Sequence, residues 1–217
     1  MKLKFVIDKK LDMLATKRFM PGDKEALELL KEQYKTSLKY LILTQKMYQE
    51  SWDEINEEFS EYIEEITGYK WLFPEYICIL SFLHPGLSNG GKDNIIVRYW
   101  KVNPYYMRRI TAHELALSHY RSIYDKHFSD SNLNENQIWA LAEIAAYALV
   151  SLTPQVNRFW PWDMKYHEEI HGYPEIWKLK LELKNIFLKR KNFQDYIKKG
   201  IELVRKYPDI GVKGGKK

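Results

Sequence analysis

One carboxylate is out of place in this chain. Glu143 lies in Ile138-Trp139-Ala140-Leu141-Ala142-Glu143-Ile144-Ala145-Ala146-Tyr147, and no other charge occurs from Ile138 through Ser151. A helix that is apolar on nearly all sides is buried. A carboxylate in its middle must then be paired, hydrogen-bonded, protonated or metal-bound, because an isolated buried charge is very costly. The preceding segment supplies a partner. Ile110, His113, Leu117, Tyr120 and Tyr124 recur at steps of three and four, so they share one helix stripe, and His113 is its polar member. Glu114 follows it, roughly 100° further around the helix. An imidazole facing a carboxylate, with a second carboxyl beside it, can hold a proton or a metal ion and act on whatever binds there.

Thr111-Ala112-His113-Glu114-Leu115 resembles the start of the HExxH helix of the zincin metallopeptidases. In that family two His ligands stand one turn apart on the metal, and the Glu is general base toward a zinc-bound water. The gluzincin branch takes its third ligand from a Glu on the following helix, the role that Glu143 matches. The resemblance covers roughly residues 76–152. It implies His113 and Glu143 as metal ligands, Glu114 as the base, Zn2+ as the cofactor and a peptide or another amide as substrate.

The second His of the pattern is missing, because position 117 is Leu117. His119 lies six residues on, about 240° around a regular helix, and cannot join His113 there. His167-Glu168-Glu169-Ile170-His171 matches the five-residue pattern literally. It lacks the apolar turns that bury a metallopeptidase helix, and Gly172-Tyr173-Pro174 ends it at once. His167 and His171 are therefore candidates for a separate zinc site or for replacing the missing ligand beside His113 and Glu143. The plainer alternative is that His113 and Glu143 form a buried hydrogen-bonded pair without metal. Glu114 is then a solvated residue pairing with Arg121 or Arg109. His84 is expected to face solvent from its Pro/Gly loop, and His119 and His127 to lie at the surface or at an interface. Arg108 and Arg109 are placed on the exposed side of their helix.

The elements around these residues are readable in outline. Residues 2–7 fit a short strand and Lys9–Met20 a helix, which Pro21-Gly22-Asp23 breaks. Asp23 fits an N-cap for a helix running to about Gln49, with Leu27, Leu30, Tyr34, Leu38 and Leu41 as its buried face. Ser51 and Glu54 fit a capping box for a helix ending at Gly68. Tyr76–Phe82 and Asn94–Trp100 read as two strands of a small sheet, the second an edge along which an extended substrate lies. Asn103-Pro104 starts a helix to about His127, and Asn134 to Ser151 is the next. Helices at 174–190 and 192–206 complete the chain.

The expected fold is α+β and predominantly helical. A zincin-like domain spans 1–172, a helical hairpin at 173–207 packs on it, and a flexible basic tail follows at 208–217. Apolar residues make up 45% of the 217, and charged residues 29%, a globular composition that excludes a disordered chain. The single cysteine, Cys78, allows no internal disulfide and sits in an apolar run as a buried small hydrophobe. No apolar run is long enough to cross a membrane and no signal-peptide layout opens the chain, so a cytoplasmic location is expected. Residues 178–217 hold 13 Lys/Arg against 4 Asp/Glu, while the rest of the chain is slightly acidic. Such a segment can meet an acidic partner. No aromatic–basic interleaving accompanies it, which argues against nucleic acid. Two functions are carried forward: a zinc-dependent, peptidase-like hydrolase with an altered metal site, and an inactive zincin-like domain serving as a protein-binding or structural module, with the basic helices as its partner surface.

Overall fold

The computed structural model describes residues 1–161 and 174–211. Its order is β1 (Lys2–Val6), α1 (Lys9–Phe19), α2 (Lys24–Thr36), α3 (Leu38–Asp53), α4 (Asn56–Thr67), β2 (Glu75–Ser81), β3 (Gly86–Ser88), β4 (Ile95–Tyr99), α5 (Pro104–His127), α6 (Glu135–Ser151), α7 (Pro174–Lys189) and α8 (Phe193–Val204). This is a predominantly helical α+β fold with one small mixed sheet. Among the described residues no helix is long and apolar enough to cross a membrane.

The sheet runs β1-β2-β4-β3. β1 and β4 lie parallel to β2, with Phe5 opposite Cys78 and Ile79 opposite Val97. β3 returns antiparallel to β4, pairing Leu87 with Val97. The apolar run of β2 follows from its central place, since a strand covered on both faces needs no alternation. Cys78 is fully buried there. β4 is flanked by β2 and β3 and so is not the edge expected of it. The edge on that side is β3, whose three residues give no strand signal in a loop rich in Gly and Pro.

Two helix boundaries also move. The helix capped by Asp23 ends at Thr36, and a new one starts after Ser37. Thr36 Oγ1 bonds the Glu32 carbonyl at 3.0 Å and reaches Ser37 Oγ at 3.5 Å, local bonds that compete with a continuous helix. The buried face becomes Ala26, Leu30 and Tyr34, then Leu41, Tyr48 and Trp52, leaving Leu38 exposed. Ser51 is not a cap. It lies inside α3, where its hydroxyl donates to the Pro104 carbonyl at 3.1 Å and accepts from Arg108 Nε at 2.9 Å. Glu54 pairs with the same guanidinium. Gly68 ends α4 in the left-handed region at φ 74°, a conformation that suits glycine.

α5 opens on the Asn103 side chain and Pro104, and α6 on a capping box between Asn134 and Gln137. The two helices run antiparallel in contact: Arg109 reaches Ser151, His113 reaches Glu143 and Arg121 reaches Glu135. Ile176, Leu183, Phe187, Phe193 and Ile197 of α7 and α8 enter the same apolar core as α6. Gln137 Nε2 donates to the Val204 carbonyl at 3.1 Å.

Candidate functional site

His113 Nε2 and Glu143 Oε2 stand 3.0 Å apart, and each side chain is 22% exposed. Burial disfavours the charged imidazole, but the hydrogen bond and charge of Glu143 outweigh it and hold the His113 pKa above its ordinary value. The neighbouring Glu114 is 8% exposed. Burial pushes its carboxyl up to about 7, with Glu143 adding repulsion and His113, Arg98 and the Ser88 hydroxyl pulling the other way. Glu114 is thus not a solvated residue. It pairs with neither Arg121, which holds Asp125 and Glu135, nor Arg109, which donates to Ser151 Oγ at 3.2 Å.

The edge strand is what buries it. A Cβ on Gly86 would lie 2.6 Å from Glu114 Oε1 and 2.9 Å from Arg98 Nη1. Only a glycine backbone lets β3 lie this close over the carboxyl and the guanidinium. Arg98 is fully buried on β4. Its Nη1 donates to the Pro85 carbonyl, while Nε and Nη2 have no hydrogen-bond partner among the described residues. Burial lowers its pKa, and the charge of Glu114 is among the forces opposing that. Arg98, Gly86 and Ser88 were not among the residues expected here. The charge of Arg98 inside an apolar β-prone run was a readable signal of the kind that marks Glu143. Gly86 and Ser88 carry none.

Glu114 and Glu143 open onto a cavity of about 330 Å3 between β3, α5 and α6, walled also by Leu117, Trp139, Ala142 and Phe19. Leu117 occupies the wall where the second His of the zincin pattern would stand. His113 and Glu143 suit two ligands of a zinc ion, but among the described residues no group of three His, Cys, Asp or Glu is arranged to hold one. His167 and His171 lie outside the described residues.

His84 and His119 depart from expectation because neighbouring elements cover them. His84 is 5% exposed beneath α1, its Nε2 at 3.0 Å from Thr16 Oγ1, and burial lowers its pKa. His119 is fully buried on the far side of α5 from His113, 3.1 Å from Thr67 Oγ1 and against the Trp71 ring at 4.6 Å. Burial pushes its pKa down to about 4. His127 is exposed beside Tyr69. Arg108 and Arg109 are buried rather than exposed, held by the partners already named. Burial lowers Arg109 to about 10.

Comparison of the chain with protein-family models, with curated proteins and with solved structures found no match.

Proposed function

We propose that the His113–Glu114–Glu143 cleft is a peptidase-like hydrolytic site of zincin-like layout, acting on peptides or another amide. The observation that carries this reading is a cavity beneath an antiparallel edge strand that Glu114 and Glu143 line, with His113 held against Glu143. An edge strand offers backbone groups to an extended chain. Glu114 stands under β3 where it can take a proton from water and return it to a leaving amine. Zn2+ would have His113 and Glu143 as ligands, and would supply a polarised carbonyl and an activated water. The described residues do not complete its ligand set.

The second reading keeps the scaffold without chemistry, as a protein-binding or structural module. It is favoured by Leu117, an aliphatic side chain in the wall where the missing ligand belongs. Metal analysis of the purified chain, paired with cleavage of a peptide library by wild type and Glu114→Gln, separates the two. Cleavage lost in Glu114→Gln supports the hydrolase. A metal-free, folded and inactive wild type overturns it in favour of the module. Zinc that survives Glu143→Ala and disappears with His167→Ala overturns the assignment of the metal to this cleft.

A further inference from the structure

A second cavity adjoins the first. It has a volume of about 140 Å3 and lies between α1 and the sheet, lined by Leu11, Leu14, Ala15, Ile79, Ile95 and Val97, and also by Asp93. Arg18, Phe19, Leu87, Ser88 and Asn89 line both cavities. A ligand spanning the two therefore passes along β3. The small cavity is well below the several hundred Å3 of a whole small-molecule pocket, so it suits a single side chain. Its walls select an aliphatic one.

Two polar features at the junction lack partners. Arg18 is exposed and makes no ion pair among the described residues, its guanidinium lying only against the Phe19 ring at 5.3 Å. The other arginine of the larger cavity, Arg121, is occupied by Asp125 and Glu135. Asn89 gives its amide N–H to Asp93, while its Oδ1 is buried without a hydrogen-bond partner among the described residues. A buried acceptor of this kind calls for an N–H. Aliphatic cavity, free cation and free acceptor are together the complement of a terminal amino-acid residue: side chain, carboxylate and amide N–H.

We propose that the double cavity recognises the carboxyl-terminal residue of a peptide, with an aliphatic side chain in the small cavity, the carboxylate on Arg18 and a backbone N–H on Asn89 Oδ1. This rests on reading the larger cavity as a peptide-cleaving site and names its substrate. The bond presented to Glu114 is then the last peptide bond. Water added across that C–N bond releases the terminal amino acid and leaves a new terminal carboxylate on the shortened peptide.

The test is binding, measured by fluorescence anisotropy on the full chain. The probes are N-terminally labelled pentapeptides of four alanines with a last residue of leucine or glycine, as free acid or amide. The free-acid leucine peptide is expected to bind at least about tenfold tighter than its amide, and a similar factor tighter than the glycine peptide. Arg18→Glu should abolish the acid–amide difference, and Ala15→Phe, which fills the small cavity, the leucine–glycine difference. Both positions are at least partly exposed, so folding is checked simply by circular dichroism. Equal binding of acid and amide overturns the proposal, as does no binding of any peptide. Equally tight binding of an amidated peptide with glutamate after leucine assigns the carboxylate to a side chain and also overturns it. Selective binding without cleavage supports this site while sinking the hydrolase reading. Cleavage without selectivity does the reverse.

Discussion

His113 on α5 and Glu143 on α6, thirty residues apart in the chain, meet through a 3.0 Å contact between Nε2 and Oε2. Each is largely buried and each removes the other's need for water. Deleting one member leaves the other's polar atoms facing an apolar helix pair. A double-mutant cycle of His113→Ala and Glu143→Ala should give a coupling free energy of about 1–2 kcal/mol by urea denaturation. Additive single mutants would mean that the contact contributes nothing to the fold.

Leu117 stands one turn along α5 from His113, in the wall of the cavity that Glu114 and Glu143 line. Leu117→His should therefore complete a three-ligand set. The metal-free variant is expected to lose about 1–2 kcal/mol of stability by placing a polar ring at a nearly buried position. Zinc should restore it, because a ligand bound only by the folded state stabilises that state. Elemental analysis and thermal melts with and without zinc check this. A variant that takes up no more zinc than wild type would show that the ligand atoms do not converge.

Gly86→Ala puts a methyl group 2.6 Å from Glu114 Oε1. The flexible ends of Glu114 and Arg98 must yield, since β3 is held to β4 by its ladder. The expected cost is about 1–3 kcal/mol, as for other overpacked buried positions, with peptide cleavage lost through displacement of the Glu114 carboxyl. Unchanged stability and unchanged cleavage together would contradict the closeness of β3 to this group.

His119 sets a pH dependence unrelated to the cleft. Its folded-state pKa is pushed down to about 4 by burial, against an ordinary 6.5. Between those values the unfolded chain binds a proton that the folded chain refuses, so stability falls as the pH drops from 6.5 toward 4. The loss reaches roughly 2 kcal/mol by about pH 5. Glu114 and His113, whose pKa values are raised, gain stability over the same range, so the His119 contribution is read as a difference: from pH 7 to pH 5 the urea midpoint of wild type should fall relative to that of His119→Phe. An equal change in both would place the acid sensitivity elsewhere. His84, buried beneath α1, adds in the same direction.

Much of the frame around the cleft was legible along the chain. The N-caps at Asn103 and Asn134 are local signals, because each side chain satisfies backbone groups two or three residues away. The stripe of His113, Leu117, Tyr120 and Tyr124 follows from helical periodicity alone, and the uncharged run around Glu143 marks a buried carboxylate by desolvation alone. Those two inferences suffice to face His113 toward Glu143.

Only tertiary structure decided which other faces are covered. Glu114 is enclosed because a three-residue strand with no sequence signal crosses over it at Gly86. Arg108 and His119 are enclosed because α3 and α4 lie against the sides of α5 that the periodicity left open. Ser51 and Glu54 read as a capping box but are drawn to Arg108 instead, a stronger charge-assisted partner. Helix phase is written into spacing along one segment. Burial depends on what another segment, far off in sequence, brings to the surface that phase exposes.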